Sequence, residues 1–372
     1  MVSMRVAVTL FVTCAAVGCN APTKAARDQA YAAALRMPGL DDTSLTLPTS
    51  GANGYPPKTA NPLAFRRLVR RGDFATLDSV LTAAADSAHR DYRTEVYLFN
   101  AYDAMASDTS LGEPLARWSR ERPTSAPAHL ARAVYLQGQA WAARGSAYAR
   151  NTPQQSLDRM NKLMAEAKAS VDSALAITPQ SAEAYLVLMY IAKASGDSAL
   201  SRRYLAKGLE DVPASFVLRR QYLRNLVPRW GGSYEAMRGI ADESLVMADS
   251  NPRLRALPGY ISLDSAEVLE LTEHEREAMD AYGRAIGYGD EMQFHLERGQ
   301  LLVRVGRARE ALPDLDFAVA AAPGSAAPYL WRGMARQRLK QDALVDYQRA
   351  VVLDPTDDVA LDRLAWLLAR SR

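Results

Sequence analysis

The fold of this 372-residue chain is set by the stretch from Met292 to Pro323, MQFHLERGQLLVRVGRAREALPDLDFAVAAAP. Apolar residues recur in it at three- and four-residue spacing in two blocks, which predicts two helices joined by a short turn. Similar segments precede and follow it. Small residues repeat at offsets of 33 and 32 residues in Ala278, Ala311 and Ala343, and again in Ala285, Ala318 and Ala350. A fixed period of this length is typical of stacked helical hairpins.

Each unit also has a small residue on its first helix and a bulky one on its second. The small residues are Ala266, Gly299 and Gly333, and the bulky ones are Tyr282, Leu315 and Tyr347. Antiparallel helices approach closely only where facing side chains are small, so we expect Gly299 to face the region of Ala311. Pro323 and Pro355 should end the second helices. Gly333 and Ala343 are two residues closer than Gly299 and Ala311, which predicts a tightened interhelix turn.

These residues resemble the tetratricopeptide repeat. The resemblance implies an all-α, right-handed superhelix of helical hairpins, an α-solenoid, closed by a C-terminal capping helix from Asp357 to Arg370. We assign residues 256–372 to the repeats and the capping helix, and residues 63–255 to a degenerate helical-hairpin domain.

Three local strings resemble an uncharacterised bacterial domain of unknown function that occurs in tetratricopeptide-like proteins. They are Trp118 with Pro123 and Ser125, AWAARGSAYA from Ala140 to Ala149, and PRWGGSYEAM from Pro228 to Met237. The likeness covers roughly residues 60 to 290. It supports the architecture and implies no catalytic residue.

The N-terminus predicts export. Arg5 and the short apolar run from Val6 to Val17 form a secretory signal peptide, residues 1–18, too short to span a membrane. The end of that run resembles a lipobox, which implies lipidation of Cys19, a membrane anchor and, by the Asn20 that follows, an outer-membrane lipoprotein facing the periplasm. Ordinary cleavage before Cys19 is the alternative. The proline-rich segment in residues 19–62 predicts a flexible tether.

Composition and motifs exclude several functions. With 45 basic and 42 acidic residues, the net charge of +3 predicts no nucleic-acid partner. The only cysteines are Cys14 and Cys19, so the body holds no disulfide or thiolate metal site. The four histidines lack helical metal-ligand spacing and are expected at surface or hairpin positions. No phosphate-binding loop or nucleophile elbow is present. We therefore predict no metal, no cofactor and no enzymatic activity.

The repeat resemblance places one mixed apolar and basic surface on the concave face. Its residues are Gln293, Leu296, Gln300, Arg304, Leu330, Met334, Gln337 and Arg338, whereas Val303 is expected in the core. We predict a noncatalytic interaction scaffold in the cell envelope, binding an extended or helical peptide on apolar anchors, with arginines reading an acidic group. The alternative is that Leu330 and Met334 pack between hairpins.

A second hypothesis is a small-ligand or enzyme pocket formed by Arg144, Tyr148, Arg229 and Trp230, because an aromatic face beside a guanidinium suits anions and aromatics. Against it, PRWGGS has the residues of a turn: Pro228 ends a helix, Gly231 and Gly232 permit positive φ, and Ser233 or Gly232 caps the next helix. Gly145 is then expected inside a long helix over residues 126–149, at a close helix crossing. A spacer with no specific partner is the third possibility.

Overall fold

The computed structural model describes residues 22–40, 42–49, 58–106, 108–145 and 151–370. The predicted signal peptide, Cys19 and Tyr148 lie outside the described residues. Within the described part of the chain, no helix has both the length and the apolarity needed to cross a membrane.

Helices dominate the described residues, and they pack as successive antiparallel pairs, so the prediction of an all-α helical-hairpin solenoid is confirmed. The helices are α1 (Lys24–Ala34), α2 (Pro62–Arg71), α3 (Phe74–Arg90), α4 (Glu95–Ala106), α5 (Gly112–Glu121), α6 (Ala126–Arg144), α7 (Gln154–Ile177), α8 (Ala182–Ala194), α9 (Ser198–Asp211), α10 (Phe216–Asn225), α11 (Tyr234–Leu245), α12 (Gly259–Leu271), α13 (Glu275–Gly287), α14 (Met292–Arg304), α15 (Ala308–Ala321), α16 (Ala326–Arg338), α17 (Leu344–Leu353) and α18 (Asp358–Arg370).

Glycines let the two helices of a C-terminal hairpin approach closely. A Cβ added to Gly299 would lie 2.8 Å from Leu315, and one added to Gly333 would lie 2.7 Å from the ring of Tyr347. The bulky residue of the second helix therefore packs directly onto the small residue of the first. The expected partner of Gly299, Ala311, lies one turn before the residue that actually contacts it.

The last hairpin differs from the expectation. Three residues separate the end of α14 from the start of α15 at Ala308, whereas five separate the end of α16 from the start of α17 at Leu344. The interhelix turn of the last hairpin is therefore longer. The two residues that this unit lacks are missing from the start of its second helix, α17. Lys340 adopts a left-handed conformation in this turn, with φ of 58°, and the side chain of Asp342 accepts a hydrogen bond from the Leu344 N–H at 2.9 Å. The predicted tightening of this turn is wrong.

The helix predicted over residues 126–149 ends at Arg144. Gly145 has φ of 72° and follows the helix, and a Cβ built on it would meet nothing within 4 Å. Its role is to leave the helix through a conformation that L side chains rarely adopt, and no close helix crossing occurs there.

The predicted tether is folded against the body where the structure describes it. Helix α1 packs on α18 and α17, and its Ala30 and Ala34 are buried in the C-terminal core. The guanidinium of Arg27 donates to both carboxylate oxygens of Asp362 at 2.6 and 2.9 Å, and to Asp358 at 2.8 Å. The capping helix α18 is thus itself covered.

Two short strands that the sequence pattern did not indicate, β1 (Thr46–Pro48) and β2 (Lys58–Ala60), pair antiparallel with Thr46 opposite Ala60. β2 lies against α4, and Thr59 and Ala60 are buried. The strand pair therefore holds the segment before α2 onto the helical body.

The first and last hairpins are in contact. The buried guanidinium of Arg66 in α2 donates to the carbonyl oxygen of Ala104 at 2.8 Å and to that of Leu353, at the end of α17, at 2.9 Å. A Cβ on Gly324, between α15 and α16, would lie 3.1 Å from the ring of Pro62. The first and last hairpins of the array are therefore joined to each other through α1, β2 and α2.

Candidate binding surface

The predicted apolar anchors lie in the core. Leu296, Leu330 and Met334 are 5%, 3% and 8% exposed, and all three belong to the C-terminal core cluster with Val303. Leu330 and Met334 therefore pack between hairpins, as the alternative interpretation of these two residues predicts. The reason is that α14 and α16 turn these positions toward the neighbouring hairpin. These three side chains cannot serve as anchors on an open surface.

The polar residues predicted with them are engaged within the chain. Gln293 accepts a hydrogen bond from Arg224 at 2.7 Å, and Gln337 accepts one from the Tyr347 hydroxyl at 2.6 Å. Arg338 donates to the carbonyl oxygen of Val303, and Gln300 is half-buried. These contacts link each first helix to its neighbours.

Arg304 is also occupied. Its Nη2 lies 2.6 Å from both carboxylate oxygens of Glu270, and its guanidinium lies over the ring of Trp331, 5.6 Å from the centroid. The sequence predicts that Arg304 and Arg338 bind an acidic group of a partner. In the structure both arginines already donate to acceptors within the chain, on α12 and α14.

Three glutamates gather around Arg304, and one of them is unpaired. Glu267 and Glu270 are on α12, and Glu297 is on α14. Burial, with the charges of Glu267 and Glu270 adding to it, raises the pKa of Glu297 to about 8. Among the described residues Glu297 has no ion pair or hydrogen-bond partner. The charges of Arg304 and Arg224 lower its pKa, but neither forms an ion pair with it. Glu297 is therefore a carboxyl group without an ion-pair partner.

Those residues of the predicted Trp230 pocket that the structure describes, which leaves out Tyr148, come together. Trp230 lies in a short 3-10 helix, Pro228–Trp230, and packs edge-on against Trp141 with ring centroids 5.8 Å apart. The guanidinium of Arg144 lies 5.3 Å from the Trp230 centroid and the ammonium of Lys193 lies 4.7 Å from it. The predicted turn is also confirmed: Gly231 has φ of 85°, and the Ser233 hydroxyl caps α11.

Arg229 is paired, unlike its cationic neighbours. It contacts Glu267 at 2.5 Å and Asp264 at 3.0 Å. Among the described residues, Lys193 donates only to the backbone carbonyl of Arg224, at 3.2 Å, and Arg144 only to that of Gly145, also at 3.2 Å. Burial, with the neighbouring charges of Arg224 and Arg229 adding to it, lowers the pKa of Lys193 to about 7. Burial alone lowers the pKa of Arg144.

The two predicted sites are parts of one surface. Arg224 joins Lys193 to Gln293, and Glu267 lies between Arg229 and the Glu297 region. We call this surface the charged strip; it comprises Arg144, Lys193, Arg224, Arg229, Trp230, Glu267, Glu270, Gln293, Glu297, Arg304 and Trp331. Sequence reasoning missed Lys193 and the three glutamates, although the i, i+3 pair of Glu267 and Glu270 on a first helix was a visible signal.

Two further observations concern metals and histidines. Within the described ranges, no group of three or more His, Cys, Asp or Glu residues is arranged to hold a metal ion. His295, expected at a surface or hairpin position, is buried between Asp314 at 2.8 Å and Asp290 at 3.2 Å. Its imidazole links α14 to α15.

The fold and the charged strip define a helical-hairpin repeat protein with a polar surface along its first helices. Residues 63–202 match the model of the family described as Domain of unknown function (DUF4034). The predicted resemblance is thereby confirmed over that range, and PRWGGSYEAM lies beyond it. The chain matches none of the curated proteins.

The chain is similar in fold to several solved structures at low identity. Pseudomonas aeruginosa PilF is 18% identical, with 59% of this chain and 93% of that chain covered and a TM-score of 0.31. YrrB, described as a TPR protein with an unusual peptide-binding site, is 16% identical over 69% and 98%, with a TM-score of 0.25. Yeast Tom70 is 14% identical over 74% and 61%, with a TM-score of 0.40.

Proposed function

We propose that this protein is a noncatalytic interaction scaffold of the bacterial cell envelope that binds a protein or peptide segment along the charged strip. The observation that carries this proposal is a pair of ionisable groups of opposite type, without ion-pair partners, at separate places on one continuous surface. Lys193 and Glu297 lack an ion-pair partner among the described residues, whereas Arg229, Arg304, Glu267 and Glu270 are paired with one another.

Ionisable groups that lack an ion-pair partner in a half-buried surface specify the polarity of a partner. An acidic side chain beside Lys193 and Arg144 would restore the charge of Lys193, and a basic side chain beside Glu297 would stabilise its ionised form. Trp230 and Trp331 offer aromatic surface at the two positions. The occupant we propose is therefore a segment that carries both an acidic and a basic residue.

A peptide-display screen tests this polarity. Random peptides selected on residues 20–372 should be enriched in sequences that contain both charges, and binding should weaken as salt increases. Glu297→Gln should remove the preference for the basic residue, and Lys193→Met the preference for the acidic one.

Matched controls lie on exposed helix surfaces. Lys168→Met and Glu310→Gln remove charges that pair only with near neighbours on their own helix or turn, so peptide selection should not change. Enrichment that is the same for the parent and for both strip variants would contradict the proposal.

The envelope location rests on the N-terminal sequence alone. We propose that Cys19 carries the lipid and that the folded body faces the periplasm. Metabolic labelling with a fatty acid should mark the parent and fail to mark Cys19→Ser. Labelling of neither protein, with release into the soluble periplasm, would contradict lipidation and leave the scaffold proposal intact.

A second candidate function is binding of a small anion at Arg144 and Trp230. It is favoured because Arg144 is only 8% exposed and has no carboxylate partner among the described residues. The buried indole N–H of Trp141, beside it, also lacks a hydrogen-bond partner within the described ranges. Titration with phosphate or benzoate should change tryptophan fluorescence in the parent and not in Arg144→Met; no saturable change in the parent would exclude this site for those anions.

A further inference from the structure

A cavity of about 220 Å³ lies apart from the charged strip, between α3, α4, α6, the turn from α7 into the start of α8, and the end of α9. Its inner wall is apolar and includes Leu81, Phe99 and Leu130, all of them buried. Its mouth is formed by exposed residues, among them Thr82 and Gln180. A pocket with an apolar wall and a few convergent polar groups is the usual form of a small-molecule site.

The charged side chains that line the cavity are mostly acidic. Asp86, Glu95, Glu183 and Asp211 line the cavity, and the only basic side chain in the lining is that of His89. No Lys or Arg is part of it. A ligand that neutralises this lining would have to be a cation.

Glu95 is already used by the fold. Its carboxylate accepts hydrogen bonds from the Ser215 hydroxyl and from the N–H groups of Phe216 and Val217, at 3.2 and 3.4 Å. These are the first N–H groups of α10, which have no partner within the helix. Glu95 therefore fixes α4 to α10 and is not available to a ligand.

Glu183 and Asp211 are less satisfied. Glu183 is 7% exposed, and in the part of the chain that the structure describes the only side-chain donor to its carboxylate is the Ser181 hydroxyl, at 2.8 Å. Asp211 is 8% exposed and accepts from the Ala182 N–H at 3.0 Å through Oδ2. Its Oδ1 is buried and contacts the half-exposed His89 ring without hydrogen-bond geometry. Burial raises the pKa of both carboxyls.

From the cavity, its apolar wall and the incompletely bonded Asp211 Oδ1, we infer that this site binds a small organic cation, a primary ammonium on a short apolar chain. The ammonium would lie between Glu183 and Asp211 and supply N–H donors to both. The chain would lie against Leu81, Phe99 and Leu130. A cation is favoured over a neutral amine or alcohol because two buried carboxylates then gain a counter-charge.

Calorimetric titration of the full chain with n-butylammonium chloride tests the inference, with 1-butanol as the neutral probe of similar shape. We expect saturable binding of n-butylammonium and binding of 1-butanol at least tenfold weaker. Glu183→Gln should weaken n-butylammonium at least tenfold. Asp172→Asn, at an exposed position of α7 outside the cavity lining, should change the affinity less than threefold.

A cavity-filling variant separates binding in this site from general attraction to acidic surface. Ala85→Leu, on the α3 wall, keeps every charge and should abolish binding; circular dichroism would verify that each variant is folded. Equal affinity for n-butylammonium and 1-butanol, no binding of n-butylammonium by the parent, or full affinity in either Glu183→Gln or Ala85→Leu would overturn the inference.

Discussion

Glu297 makes the stability of the protein depend on pH in a direction that can be worked out. Its pKa is raised from an ordinary 4.5 to about 8, so the folded chain holds this proton more tightly than the unfolded chain. Below pH 4.5 the carboxyl is protonated in both states and has no effect. Between pH 4.5 and 8 the unfolded chain releases the proton first, so stability falls as pH rises. Above pH 8 the loss is complete.

The size of the effect follows from the two pKa values. Each pKa unit corresponds to about 1.4 kcal/mol, so a rise from 4.5 to about 8 corresponds to about 5 kcal/mol. Because Glu297 keeps some contact with solvent, we expect about 2 to 4 kcal/mol after screening. Glu297→Gln should lack this titration and should gain that amount relative to the parent between pH 5 and pH 9.

Urea unfolding followed by circular dichroism at pH 5, 6.5, 8 and 9 measures the difference. Glu277→Gln, an exposed position on α13, is the matched control, and its difference from the parent should change little over this range. If the difference between the parent and Glu297→Gln is the same at every pH, the carboxyl is not destabilised by its surroundings. The partner polarity that we assign to the charged strip would then lose its support.

Three further outcomes can be measured on purified variants. Leu330→Ala should reduce the free energy of unfolding by about 2 to 5 kcal/mol, because it empties a core position. The control Val345→Ala, at a position 56% exposed, should change the free energy of unfolding by less than about 0.5 kcal/mol. Similarly small effects of both substitutions would mean that Leu330 is a surface anchor. Gly333→Ala should lower the free energy of unfolding by about 1 to 3 kcal/mol, because its methyl would lie 2.7 Å from the facing tyrosine ring. The control Gly239→Ala, on an uncrowded face of α11, should raise the free energy of unfolding by up to about 1 kcal/mol. Equal shifts of the melting temperature in the two variants would argue against close hairpin packing. Arg27→Ala should speed hydrogen exchange in α1 and leave α14 unchanged, and unchanged α1 protection would show that the contact with Asp358 and Asp362 does not hold the helix.

The hairpins could be predicted from the sequence because their determinants are local. The spacing of Gly299 and Gly333 from Leu315 and Tyr347 specifies which residues meet within one hairpin. Pro323 and Pro355 lie two residues beyond the ends of α15 and α17, where a missing N–H and a fixed φ oppose further helix. These features need no knowledge of distant segments.

The site could be predicted only in part, because its charges are paired over long sequence distances. Arg304 meets Glu270 and Arg224 meets Gln293, and no short-range pattern shows which of these side chains will be satisfied internally. The Trp230 cluster was predicted because arginine and tryptophan near a turn is a local signal. The packing of α1 on α18 could not be inferred, since a small amphipathic helix beside a proline-rich segment also suits a tether.

The contact between the first and last hairpins changes how such an array should unfold. In an open solenoid each repeat is stabilised only by its neighbours, so unfolding can begin at an end and proceed inward one unit at a time. Here Arg66 and Gly324 make the first and last hairpins neighbours as well, so the described body has no outermost hairpin to fray. Losing any one hairpin removes two interfaces, and the chain should lose its structure in a single concerted transition despite its length.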